Sequence, residues 1–433
     1  MVKACQTLDS VRVIFDDDNA VANAGLVLTA TLAERLGMKT AADSLIRLEG
    51  PGAANAGEKV MTLVHSLIAG GDCIDDVDVL RAGSTQAVLG HRVAAPSTVG
   101  TFLRSFTFGH VRQADRFSEA VLTAAWAAGA GPGAQPLTID IDSTICEVHG
   151  YAKQGASYGY TRQLGLHPLL ATRADTGEVL HVRFRKGSAN TGRGAQRFVR
   201  ETIRRVRRAG ASGPITLRAD SGFWSNKVIA ACRAHGVRYS ITVNRQKPIM
   251  DAIAAIPERA WEAIAYTAGG DAQVAETAYG NGHRLIIRRT RIKGAQAALF
   301  DEWRHHAFIT DRSGTPVDLD ADHRAHAVVE LAIRDLKDGA GMAHCPSGQF
   351  NANAAWCVFA TVAHNLIRWA SMLGTGHHGP VVAKTLRRRL LAVAGRLTRS
   401  ARTRTLHLPT RWPWADQMAS ALQNIRALPA PSG

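Results

Sequence analysis

A mixed α/β fold is predicted for this chain, and three observations predict it. Between residues 135 and 244, short runs rich in β-branched residues alternate with amphipathic segments in the order β-β-β-α-β-α-β. Before residue 130 and after residue 319 the apolar residues recur at helical spacing instead. Hydrophobic residues make up 46% and charged residues 20% of the 433 positions, a composition that excludes long disordered tracts and leaves room for two to four structural units.

The first unit, residues 1–130, is read as a helical N-terminal DNA-binding region. GLVLTATLAERLGMKTAADSLIRL (25–48) and the stretch 59–69 carry helical apolar spacing, and Ser97 offers an N-cap ahead of the basic segment TVGTFLRSFTFGHVRQADRF. Short helices separated by glycines suit a helix-turn-helix docked on DNA, or a plain helical subdomain. AGAGPG (128–133) reads as a linker.

A second unit starts near Gln135. PLTIDIDST is a strand and GYAKQGASYGY a loop, while HPLLATR and EVLHVRFRKG form a hairpin. A basic helix then ends at Gly210, followed by the strand PITLRAD, the helix SNKVIAACRAHG and the strand VRYSITVN. That order, over 135–244, is the one used by ribonuclease H-like nucleases. Residues 245–318 read as a β-rich insertion containing HRLIIRRTRI and HHAFITD. Residues 319–375 return to helix, with HRAHAVVELAIRDLKDG first and then an apolar helix placing Trp356, Phe359, Leu366 and Trp369 at core spacing. The last stretch, 376–433, reads as a basic tail, since residues 384–411 hold nine Lys or Arg and no acid.

Charge narrows the function. The chain carries +16 with a pI near 10.1, which calls for a polyanionic partner, and nucleic acid fits best. The six cysteines are scattered without zinc spacing and read as reduced thiols. No apolar run is long enough to span a bilayer, so the expected location is the cytoplasm, with no membrane partner.

Three acidic positions then stand out, the first with two candidates. Asp140 and Asp142 alternate in IDIDST and so share one face of a strand; Asp220 closes the strand ITLRAD before Ser221 and Gly222; Glu330 lies beside the stripe Val329, Ile333 and Leu336 and is expected to face inward. Hard carboxylate oxygens from separate elements suit two divalent ions such as Mg²⁺, with Mn²⁺ as a substitute, and such ions serve in-line displacement at phosphorus. Lys337, two turns after Glu330, is placed to meet a phosphate. Expected DNA contacts are Arg185, Lys186, Arg193, Arg197, Arg200 and Arg204 around the basic helix, Arg387 and Arg388 in the tail, and His323 and His326 beside Glu330.

The segments IDIDSTICEVHGYAKQGASYGYTRQLGLHPLLA, LRADSGFWS, HRAHAVVELAIRDLKDG and HNLIRW together resemble the DDE transposases of bacterial insertion sequences, specifically insertion sequence family 1380. The resemblance implies a ribonuclease H-like catalytic domain interrupted by a β-rich insertion, Mg²⁺ dependence, and recognition of terminal inverted repeats. It matches Asp142, Asp220 and Glu330 to the three metal-binding acids, with Asp140 the alternative to Asp142. Related transposases carry Tyr, Arg, Glu and Lys around the last acid; here these places hold His323, His326, Glu330 and Lys337, so two of the four depart. The implied partner is double-stranded DNA, both transposon ends and target, bound by a homodimer at the nucleoid. The other readings are a nuclease or resolvase that does not join strands, and a DNA-binding repressor without catalysis.

Overall fold

The β-branched runs of the second unit pair into one sheet because their buried faces need a common core. The computed structural model describes residues 8, 11–150, 152–159, 162–265, 270–280, 282–292 and 303–430. Its largest sheet has nine strands, in the order Glu262–Ala263, Gly270–Tyr279, His283–Ile292, Arg304–Thr310, Arg238–Thr242, Ile215–Ala219, Leu137–Ser143, Leu169–Arg173 and Val179–Arg183. Leu137–Ser143 runs parallel to Ile215–Ala219, and that strand parallel to Arg238–Thr242. Parallel neighbours need crossovers, and the helices Ala195–Arg208 and Asn226–Ala234 supply them. On the other side of Leu137–Ser143 the hairpin Leu169–Arg173 and Val179–Arg183 pairs antiparallel. The chain is thus mixed α/β, with the β-β-β-α-β-α-β order over the first part of this sheet.

The insertion continues this sheet. Arg304–Thr310 pairs antiparallel with Arg238–Thr242, and His283–Ile292 and Gly270–Tyr279 follow outward. Val274, Ile286 and Phe308 from these strands close a small second core with Leu319 of the helix Pro316–Arg324. The segment expected as one helix around Glu330 is broken: Pro316–Arg324 ends, one 3₁₀ turn follows at Ala325–Ala327, and a new helix spans Val328–Gly339. Of the expected loop 150–160, Tyr151 and Tyr160 lie outside the described residues.

The apolar helix Phe350–Thr375 buries 21 of its 26 residues, including Trp356, Phe359, Leu366 and Trp369. Around it pack Leu26–Arg35, Ala56–Ala69, Pro96–Arg104 and Phe108–Ala125 from the N-terminal region and Ala415–Ala427 from the far end of the chain. Ser97 does not cap Pro96–Arg104; Ala95 does, with Pro96 in the first turn, where its missing N–H is no loss.

Two segments are more ordered than their composition suggests. Instead of a loose arm, the basic stretch near the C-terminus folds into a hairpin, Gly395–Ser400 with Thr403–His407, that pairs with Ala20–Val21. The Gly-rich 128–133 segment is pinned at its start, since the Ala130 carbonyl accepts from Arg173 Nη1 at 2.8 Å. Beside it lies a buried hub: Glu178, fully inaccessible, accepts from Trp126 Nε1 at 3.0 Å, Trp369 Nε1 at 2.6 Å, Thr176 Oγ1 at 3.0 Å and Arg173 Nη1 at 3.2 Å. Asn365 completes the join by bonding both the N–H and the C=O of Val179 on the edge strand, each at 2.8 Å. These bonds fix the hairpin of the sheet to the helical unit.

Candidate active site

Register places the first two acids. In the parallel pair, Asp140 lies opposite Arg218 and Ile141 opposite Ala219, so the next residues, Asp142 and Asp220, leave the ends of neighbouring strands side by side. Glu330 comes from the first turn of Val328–Gly339, whose buried stripe is Val329, Ile333 and Leu336. Contrary to the expectation that it faces inward, Glu330 is exposed, one position round from that stripe. It turns to an open cavity of about 320 Å³ that it lines with Asp142, Ser143, Thr144, Arg334 and Lys337.

The turn after Asp220 depends on a glycine. Asp220 Oδ1 accepts from the Gly222 N–H at 3.0 Å. A Cβ on Gly222 would stand 2.8 Å from Thr191 Cβ and Cγ2, too close for any side chain. Thr191 in turn lies 3.4 Å from the hydroxyl of Ser143, the residue after Asp142, so one loop touches the neighbours of both acids.

Burial, and for Asp142 like charge as well, defines the electrostatics. Asp142 is pushed up to about 6, first by burial and then by Asp220 and Glu330, against the Ser143 N–H and His326 that pull it down. Asp220 is raised as well by desolvation, opposed by the Gly222 N–H and His326. A half-buried carboxylate beside two further acids forms a site that gains from a cation. Among the described residues, the one set of three His, Cys, Asp or Glu side chains whose ligand atoms all lie within 4.8 Å of one another is Asp72, Cys73 and Asp76, on the helical unit; Asp142, Asp220 and Glu330 stand wider apart.

Asp140, one layer below, is fully buried, and both its oxygens are engaged: Arg218 Nε donates to Oδ1 at 2.7 Å and Nη2 to Oδ2 at 2.8 Å. His326 Nδ1 lies 2.9 Å from the same Oδ1. Arg218 escaped the sequence reading, although its place two residues before Asp220 on a strand puts it on the same face. Lys337 Nζ donates to the Ile145 carbonyl at 2.9 Å, at the rim of the cavity.

The expected DNA contacts divide. Lys186, Arg193, Arg200, Arg204 and Arg388 are exposed and have no ion-pair partner among the described residues. Arg197 is exposed and paired with Glu201. The basic helix meets more acid than its own sequence shows, since Asp115 and Glu119 of Phe108–Ala125 pair with Arg205 and Arg208. Three residues need correction. Arg185 is a strut, bonding the carbonyls of His167, Asn190 and Arg193. Arg387 holds the carbonyls of Ile68, Leu67 and Gly339, joining helix ends. His323 is buried, stacked on Phe308 with centroids 4.0 Å apart, and its two ring nitrogens lie 2.8 and 3.0 Å from Ser240 Oγ and Thr242 Oγ1. A ring so enclosed has no face for DNA.

Comparisons with known proteins follow this geometry. A piggyBac transposase, in a synaptic complex with hairpin DNA, is similar over 95% of this chain and 83% of its own, at 12% identity and a TM-score of 0.45. No curated protein matches. No described helix is long and apolar enough to cross a membrane. The model of the family described as transposase DDE domain group 1 matches residues 4–430, so this chain belongs to that family of transposases.

Proposed function

We propose that this transposase binds the terminal inverted repeats of a bacterial insertion sequence of family 1380 and cuts and joins their phosphodiester bonds using Mg²⁺, or Mn²⁺ in its place. Asp142, Asp220 and Glu330 hold the ions. The observation that carries this reading is the convergence of three carboxylates from two adjacent strand ends and one helix start, where burial, with Asp220 and Glu330 beside it, raises Asp142 to about 6. The donor set fits the ion: all-oxygen, hard and anionic. When bound, such ions polarise the phosphoryl oxygens and stabilise both the entering and leaving oxygens.

The protein's own contribution is positioning and charge. Lys337, at the cavity rim and fixed by the Ile145 carbonyl, meets the phosphate flanking the cut. Lys186, Arg193, Arg200 and Arg204 carry the duplex away from the site as phosphate contacts. Handling two ends together calls for a homodimer on DNA, in the cytoplasm at the nucleoid. In this reading the helical N-terminal region, residues 1–130, contributes DNA binding.

The test is cleavage of a duplex bearing the element's terminal repeat, with Mg²⁺, by wild type and by Asp142→Ala, Asp220→Ala and Glu330→Ala. Each variant should bind the duplex and neither cut nor join it. Activity retained by any one of them removes that residue from the site. Cutting without joined products by the wild type would replace transposition with a nuclease or resolvase activity.

A further inference from the structure

Beneath the candidate metal carboxylates lies a layer that the transposase reading does not use. The parallel register that aligns Asp142 with Asp220 also aligns Asp140 with Arg218 two residues earlier, on the same face of the same two strands. The upper layer is two like charges; the lower is a bidentate ion pair with Asp140 0% and Arg218 3% exposed. Arg218 is itself anchored, its Nη1 donating to the Asp322 carbonyl, and Asp322 is paired with Arg312 from beside the insertion strand. Nothing here is free to turn outward. For Asp140 to reach a metal it would have to release a buried guanidinium, leaving that charge only Asp322, whose Oδ1 is 3.4 Å away.

Asp140 has one further neighbour. His326 Nδ1 donates to Oδ1 at 2.9 Å. His326 sits in the 3₁₀ turn between the two helices, four residues before Glu330, and its side chain is 14% exposed. With Nδ1 fixed on Asp140, one layer below Asp142 and Asp220 on the same strand face, Nε2 is the ring's remaining nitrogen. A carboxylate holding one imidazole nitrogen to set the direction of the other is a known way of aiming a histidine.

We propose that Asp140 is a positioning residue and not a metal ligand: clamped by Arg218, it fixes the His326 ring so that Nε2 acts at the pair Asp142 and Asp220. This rests on those two acids being metal ligands, and the experiment separates the two ideas. Mn²⁺ uptake by the full chain is measured by the electron paramagnetic resonance of the free ion. Alongside it run steady-state cleavage of the terminal-repeat duplex and thermal melts, for wild type, Asp142→Asn, Asp140→Asn, His326→Asn and His326→Gln. Asn can keep a donor near Nδ1 but has no atom at Nε2, whereas Gln reaches the Nε2 position.

Asp142→Asn should lose Mn²⁺. Asp140→Asn and His326→Asn should keep Mn²⁺ affinity and the KM for duplex within about threefold, while kcat falls on the order of 10²–10³-fold, a typical loss for a misdirected histidine. His326→Gln should recover to within about tenfold of wild type. Loss of Mn²⁺ by Asp140→Asn to the extent seen in Asp142→Asn makes Asp140 a ligand and overturns the proposal. Equal activity of His326→Asn and His326→Gln overturns it too, since the ring would then only satisfy Asp140. If Asp140→Asn fails to fold, the two His326 variants still decide. A wild-type chain that takes up no Mn²⁺ removes the metal site first, and this proposal with it.

Discussion

Replacing Asp142 with Asn should make the metal-free protein more stable while abolishing its chemistry. Burial and the neighbouring acids carry this carboxyl from its ordinary 3.8 to about 6, so the folded state holds its proton more tightly than the unfolded state does. The sign follows directly: folding takes up a proton between those two values, and stability falls as pH rises through that window. Above pH 6 the ionised carboxylate costs the fold ~3 kcal/mol at about 1.4 kcal/mol per tenfold. Asp142 is half-buried, which reduces this to ~1–2 kcal/mol. Asn keeps an acceptor for the Ser143 N–H at 2.6 Å but removes the charge. Calorimetry in EDTA at pH 8 should show the variant melting higher, by only a degree or two in a chain of this length. At pH 5 about half of the gain should remain, because the wild-type carboxyl is then mostly protonated in the fold. Mg²⁺ should raise the wild-type melt and leave the variant unmoved. A variant that is no more stable at pH 8, or whose advantage does not change with pH, would refute the like-charge account of the site.

Other outcomes follow from the same structure. Gly222→Ala should reduce cleavage at least tenfold with little change in melting, since the Cβ meets Thr191 at 2.8 Å and must displace the turn carrying Asp220; unchanged kcat would show that turn to be adaptable. Glu178→Ala should cost about 3–5 kcal/mol, because it leaves two buried indole N–H groups and the Thr176 hydroxyl without their acceptor, and a loss under 1 kcal/mol in urea unfolding contradicts the hub. Arg200→Ala and Arg204→Ala should each lower the slope of log K against log salt by about 1, whereas Arg185→Ala and Arg387→Ala should lower stability and leave that slope alone.

What could be read in advance was whatever depends on neighbours along the chain. Alternation in IDIDST and ITLRAD, and the spacing of Trp356, Phe359, Leu366 and Trp369, are local patterns, and the strands and the buried helix follow them. The pairing of Asp140 with Arg218 depends on strand register, which no local pattern displays, so the two acids of IDIDST looked equivalent. His323 reads as a DNA contact because nothing nearby in sequence foretells Phe308, Ser240 and Thr242 closing round it. Arg387 counted as a tail charge for the same reason: its three carbonyl partners come from residues 67, 68 and 339. The basic hairpin pairs with a two-residue strand at the opposite end of the chain, a contact too short to leave a signature.

The helix Phe350–Thr375 is the axis on which the N-terminal helices pack, yet some 225 residues separate it from the last of them. On the ribosome, at about 5–20 residues per second, the emerging N-terminal segment waits roughly 10–45 s for its central partner. During that interval its apolar faces stand open to chaperones and proteases. A product ending before residue 350 lacks the axis altogether, so residues 1–130 made alone should show no cooperative melting transition by circular dichroism.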